Sequence, residues 1–324
     1  MQIFSKEQIY CEVSPTWENR FRGYWIAIGQ TERGILVKKA FDSTKDFILY
    51  SRDSSDFQYG ILDIAHMLPP TDEDLDYIND YFSVHRNELS TFESSTQVYN
   101  TYRTELLAAG FTNAPTAYGR FYRQNTDHTA FIVNLTDDGY GVTAVYGFTL
   151  NSFMGDTSWF LKNGEDSECC KLRESVFLIT GEDNSKAQET VTAFYKTYCH
   201  LEKEALLSVC KEKQKAFLSR FAVRLKPLGF KKKGAQWTKL LLSGYQITFH
   251  AQKSAYSDQY YFRFYVDPPT GSGIKLPLLE RHGGQVDING NGIFDWQLLS
   301  DEQIEFIINT AINNHLLLLC KKYS

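Results

Sequence analysis

Hydrophobic and polar residues alternate over short stretches of this chain, then give way to helical spacing, and the switch recurs along its length. The first stretch holds FRGYWIAIG (21–29), GILVKKA (34–40), DFILYSR (46–52) and QYGILDI (58–64). Gly, Asp and Ser separate these runs, which predicts strands joined by tight turns. After Pro69 and Pro70, TDEDLDYINDYF opens a helix. Thr71 is its expected cap, and Asp72, Glu73 and Asp74 sit where the helix dipole favours negative charge.

The same grammar returns twice. A helix around 97–109, with Leu106 and Leu107, is stopped by Gly110. Strands are expected at 117–123, 128–135, 140–150 and 175–180, with a polar loop at 156–171, and a helix follows within 181–198. Then Phe217, Phe221, Leu225 and Leu228 form a helical stripe ended by Pro227 and Gly229. Strands follow at 235–242, 245–252 and 260–266, then a Pro/Gly loop, a hairpin with a strand at 290–296, and an apolar closing helix over 300–320 capped by Ser300 or Asp301.

ELLAAGFTNAPTAYGRF and VRLKPLGFKKKGAQWTKL align without a gap through the helix stop. Gly110 then meets Gly229, Phe111 meets Phe230 and Tyr118 meets Trp237. This predicts an α+β protein of tandem units, each an antiparallel sheet packed on one or two helices, over 93–202 and 203–324. Residues 1–92 read as a partial or divergent unit lacking the leading helix. Neither Pro nor Gly occurs in 71–109 or 182–226, so each trailing helix runs toward the next leading one. A single helix over 182–226 would be roughly 65 Å long. A pair broken near 199–204 fits globular helix lengths better, and in the first run STFESST (90–96) is the expected break.

Composition adds a compartment and a charge contrast. Six cysteines, none in a CxxC pair, read as idle thiols in a reducing compartment rather than a disulfide framework or zinc knuckle. With no signal-peptide core at the N-terminus and no run long enough to span a bilayer, the expectation is a cytoplasmic protein with no membrane partner. Net charge is −5, yet ten Lys or Arg face one acid, Glu212, between Lys211 and Leu240.

LKPLGFKKKGAQW (225–237), the aromatic strand that follows and Gln252–Ser254 resemble the uncharacterised bacterial family catalogued as domain of unknown function 4304. The resemblance implies an α+β fold for the last unit and a bacterial origin; it carries no activity, cofactor or catalytic residue. The middle segment departs from it, with Thr112, Asn113 and Ala114 where the lysines stand.

The candidate binding residues are Arg220, Arg224, Lys226, Lys231, Lys232, Lys233, Trp237 and Lys239. Lysines beside an aromatic can hold a phosphate backbone and stack a base. The same residues also suit a solvated helix face and polar turn, an acidic protein partner, or an internal contact with the DEDLD helix. His250, Gln252 and Lys253 are a second candidate, as a pocket on a sheet face. DINGNGIFDWQL (287–298) follows a calcium loop through Asp287, Asn289, Asn291, Gly292 and Asp295, but Leu298 stands where a bidentate carboxylate is required. No metal or cofactor is therefore expected. Nucleophile-elbow, phosphate-loop and dinucleotide motifs are absent. The leading expectation is a non-enzymatic binding protein that docks a protein partner, followed by nucleic-acid binding through 211–240, and then by an enzyme whose site assembles from distant residues.

Overall fold

The computed structural model describes residues 2–13, 22–31, 34–40, 47–50, 67–113, 119–126, 129–137, 141–150, 170–179, 182–253, 259–272, 274, 284–285 and 293–324. The expected strand at 58–64, most of the loop at 156–171, Tyr118, Ser254 and positions 287–292 of the calcium-like loop lie outside them. The chain forms two compact units. One holds Met1–Cys169 and Ser175–Glu202; the other holds Cys170–Glu174 and Lys203–Ser324. The fold is α+β, with antiparallel sheets and helices packed on them.

In the first unit, β1 (Ile9–Val13), β2 (Arg22–Thr31), β3 (Gly34–Lys39), β4 (Phe47–Tyr50) and β5 (Met67–Leu68) form an antiparallel sheet ordered β4-β3-β2-β1-β5. Alternation divides its faces. Ile9, Cys11 and Ile26 pack with Ile78, Phe82 and Leu89, while Tyr10, Trp25 and Val37 cluster on the opposite side. Two helices supply the first packing layer, α1 (Asp72–Val84) and α2 (Arg86–Ala108). Thr71 caps α1 in a reciprocal pair with Asp74, whose amide donates to Thr71 Oγ1 at 3.2 Å while its carboxylate accepts from the Thr71 amide at 2.9 Å.

The break between these helices falls at His85, not in STFESST. That segment stays helical because its hydroxyls bond back along the helix: Thr91 Oγ1 donates to Asn87 O at 3.0 Å, and Thr96 Oγ1 to Phe92 O at 2.6 Å. Such bonds satisfy the side chains without opening a turn.

A second sheet follows, of β6 (Thr112–Asn113), β7 (Arg120–Thr126), β8 (Thr129–Asp137), β9 (Val142–Leu150) and β10 (Cys170–Leu178), ordered β10-β9-β8-β7-β6. Its covering helix α3 (Ser185–Tyr198) sets Phe194 against Phe131, Phe148 and Tyr146, with ring centroids 6.1, 6.2 and 5.1 Å away. Here the break does fall as expected, since α3 ends at Tyr198 and α4 (Lys203–Leu225) begins five residues later.

The second unit is built on α4, a short 3-10 turn (Lys226–Leu228) and a further sheet. Its strands are β11 (Lys231–Lys233), β12 (Gln236–Leu240), β13 (Gln246–Lys253), β14 (Tyr260–Asp267) and β15 (Gly284–Gln285), side by side in that order, with β16 (Ile293–Phe294) also paired to β14. The closing helix runs as α5 (Asp301–Thr310), a π-helical stretch (Ala311–Leu316) and α6 (Leu317–Tyr323). Ser300 is its cap, accepting from the Gln303 amide at 3.2 Å. Phe217, Phe221 and Leu225 from α4 and Ile304, Ile307, Ile308 and Leu316 from the closing helix meet Trp237, Ile247, Phe249 and Phe262 in one core. Each fully buried side chain of this size contributes about 1.5–3 kcal/mol.

Two helix ends share one geometry. Phe111 N–H reaches Leu106 O at 3.0 Å and Gly110 N–H reaches Leu107 O at 3.1 Å; Phe230 and Gly229 do the same to Leu225 O and Lys226 O at 3.2 and 3.0 Å. Both glycines are left-handed, at φ 83° and 84°. Beyond them the ungapped match fails. Asn113 faces Phe121 eight positions on, whereas Lys232 faces Trp237 five positions on, so the earlier hairpin is three residues longer. Phe121, not Tyr118, takes the place of Trp237.

Candidate binding face of the C-terminal sheet

Strand alternation decides what the basic segment presents. Lys231, Lys232 and Lys233 form β11, so consecutive side chains project to opposite faces. Lys232 pairs in register with Trp237, which is 1% exposed and belongs to the core. Its ammonium lies 5.5 Å from the indole centroid. Lys239 pairs with Ile247 on this helix-facing side, 5.9 Å from the Phe230 ring. Trp237 is therefore a core residue covered by a cation, and its ring offers no surface for stacking.

The helical part of the segment is engaged by the closing helix. Arg220 donates to Asp301 Oδ1 at 2.6 Å. Arg224 donates to Asn309 Oδ1 at 2.6 Å and lies 3.5 Å from Glu305. Lys213 pairs with Glu174 within the same unit. Such half-exposed pairs each contribute at most about 1 kcal/mol, but they neutralise the charges a partner would read. Lys226 is exposed in the 3-10 turn. Two of the DEDLD acids are engaged within their own unit, Asp72 by Lys6 at 2.8 Å and Asp74 in the Thr71 cap.

What remains is the face of the sheet turned away from the helices. Lys231, Thr238, Thr248 and Tyr265 form one cross-strand row on it. Lys233, Gln236, His250 and Arg263 form the next, and Gln252 with Tyr261 a third. Register partners stand about 4.5–5.5 Å apart at Cβ. Thr248, at the centre of the first row, is buried at 7% exposure. Lys231, Lys233, Gln236 and Gln252 are exposed, and His250, Tyr261, Arg263 and Tyr265 partly so. The three rows carry no carboxylate; Asp267, at the end of β14, pairs with Gln246. No ion pair among the described residues involves Lys231, Lys233 or Arg263. Arg263 instead lies over the Tyr261 ring, 5.6 Å from its centroid.

Of the second candidate group, His250 and Gln252 share this face, while Lys253 points to the other side opposite Tyr260. Burial, then the Arg263 charge, pushes the His250 imidazole below the usual histidine range. Arg263, Tyr261 and Tyr265 also lie on this face and were not among the expected candidates; period-two counting from Tyr260, with Phe262 and Val266 pointing inward, would have placed them there. In the calcium-like loop, Asp295 is paired with Arg173. Among the described residues no group of three or more metal-ligating side chains converges, and no helix is long and apolar enough to cross a membrane. No family model, curated protein or solved structure matches the chain.

Proposed function

We propose that the chain is a non-enzymatic binding protein that docks an acidic segment of a protein partner on the outer face of its C-terminal sheet. One observation supports this reading above all. Tyr261, Arg263 and Tyr265 alternate outward along β14, with His250 opposite Arg263 on β13 and, beyond β12, Lys231 and Lys233 on the edge strand β11, in rows free of carboxylates. Tyr and Arg are the side chains that most often dominate protein interfaces, and a face of one charge sign selects partners of the other. Sequence clustering alone would favour the whole 211–240 segment, but of its charged residues only Lys231 and Lys233 reach this face.

The test is charge reversal against a captured partner. A stoichiometric protein from native lysate should be lost with Arg263→Glu and retained with Lys211→Glu, which lies outside the face. A partner lost equally with both variants, or with neither, would sink the assignment.

A second reading rests on the rings themselves. Tyr261, Tyr265 and His250 beside lysines also form the kind of platform on which bases of a single strand stack. A salt titration with labelled oligo-dT separates the two, since tight binding at low salt, with a steep salt slope, would favour the nucleic acid.

A further inference from the structure

We infer that His250 and Arg263 together form the anion seat of this face: a carboxylate of the acidic segment sits across the two side chains, and its binding is coupled to protonation of His250. The inference rests on the docking reading above and adds the anchor, the ligand chemistry and a dependence on pH.

The argument begins with register. His250 on β13 and Arg263 on β14 are direct partners in a non-terminal row, so both project to the same side of the sheet. Arg263 offers a fork of guanidinium donors and His250 an imidazole N–H from adjacent strands on one face, a donor set that suits a planar carboxylate. Among the described residues, every cross-strand and same-strand neighbour of His250 on that face is uncharged or cationic. Gln236 is its partner on β12, with Thr238 on the diagonal; Thr248 and Gln252 flank it on its own strand; Tyr261 and Tyr265 lie diagonally on β14; and Lys233 lies one strand beyond Gln236. No acid among the described residues of these rows compensates a second positive charge beside Arg263. Without ligand, protonation of the imidazole is therefore disfavoured, in agreement with the downward shift from burial and the Arg263 charge. A carboxylate reverses the balance, because it supplies the missing negative charge and a hydrogen-bond acceptor. The bound state holds a proton more tightly than the free state does, and affinity must rise as pH falls.

The coupling has a ceiling. One proton taken up on binding changes affinity by at most about tenfold per pH unit. Phosphate-bearing ligands would engage the same donors, so the probes must separate the two sources.

The test uses the full chain and a fluorescein-labelled octa-aspartate peptide, whose carboxylates stay ionised above about pH 5. Binding is followed by anisotropy at pH 5.5, 6.5 and 7.5 at constant ionic strength, with a labelled oligo-dT of equal charge run alongside. Wild type should bind the peptide at least about threefold more tightly at pH 5.5 than at 7.5, within the one-proton limit. His250→Gln should bind with no such dependence, and Arg263→Gln should bind weakly at every pH. The imidazole carbon resonances of His250, assigned by their loss in His250→Gln, should show a higher titration midpoint with peptide than without. Peptide binding that is equally tight at all three pH values, with an unmoved His250 midpoint, overturns the proton-coupled seat while leaving the docking face standing. No peptide binding at any pH overturns the docking reading itself. Binding of oligo-dT with the pH dependence, and of peptide without it, transfers the seat to phosphate and overturns the carboxylate assignment.

Discussion

Lys232 and Trp237 are register partners across β11 and β12, and the lysine ammonium lies 5.5 Å from the buried indole. The middle member of a basic triplet thus works toward the core while its neighbours face outward. Removing the cation should cost little, since partly exposed cation–π contacts contribute about 0.5–1 kcal/mol. Removing the ring should cost about 3–5 kcal/mol, the range for a large core aromatic truncated to Ala. Urea denaturation of Lys232→Ala and Trp237→Ala should therefore differ severalfold in destabilisation; comparable losses would contradict the placement.

Gly229 makes a separate prediction. Its φ of 84° is in the left-handed region, and a Cβ there would meet nothing nearer than Lys239 Cε at 3.7 Å. The cost of Gly229→Ala is then conformational rather than steric, about 1–2 kcal/mol. Gly229→Asn should cost less, because Asn tolerates this conformation better. Thermal melts of the two variants would rank them.

Asn79 holds the N-terminal segment to α1. Its Oδ1 accepts from the Ile3 and Phe4 amides at 2.6 and 2.8 Å, while its Nδ2 donates to Phe4 O at 3.2 Å and Leu75 O at 3.0 Å. Asn79→Ala leaves buried backbone groups unpaired and should destabilise by about 2–4 kcal/mol. Amide exchange at Ile3 and Phe4 should accelerate in the variant, an effect that a simple loss of packing elsewhere would not localise there.

The π-helical stretch of the closing helix carries a pH signature. His315 stacks on Phe264 at 4.9 Å between centroids, and burial pushes its imidazole below the usual histidine range. A histidine with a depressed folded-state pKa binds its proton more readily when unfolded, so stability rises with pH through the window that ends near the unfolded value of about 6.5. Acidification below about pH 6.5 should lower the urea midpoint, and His315→Phe should reduce that loss. An unchanged pH dependence in the variant would remove His315 as its source.

The sequence located strands better than surfaces. Alternation in 245–252 and 260–266 matches β13 and β14 within a residue, because their inward positions are mostly apolar and their outward ones mostly polar. The break between α1 and α2 was misplaced because a Ser/Thr cluster suggests a turn, whereas hydroxyl bonds to preceding carbonyls keep it helical. Lys231–Lys233 has no apolar position to reveal period two, so a strand there was invisible. Adjacency in sequence grouped Arg220, Arg224 and the lysines, but the closing helix, some eighty residues on, supplies Asp301 and Glu305 to the arginines. The residues that gather on the outer face come from strands joined only by cross-strand register, which one sequence does not display.

The matching glycine caps have a consequence for how such a chain can change over generations. In both places the helix end is fixed by its own backbone bonds, and the aromatic at Phe121 or Trp237 secures the next hairpin from the buried side. The alternate positions of the short strand after each glycine are thereby released from structural duty. Thr112 occupies one of them in the earlier sheet and Lys231 the corresponding one in the later. Substitutions can accumulate at these few codons while the hydrophobic layer beneath stays constant.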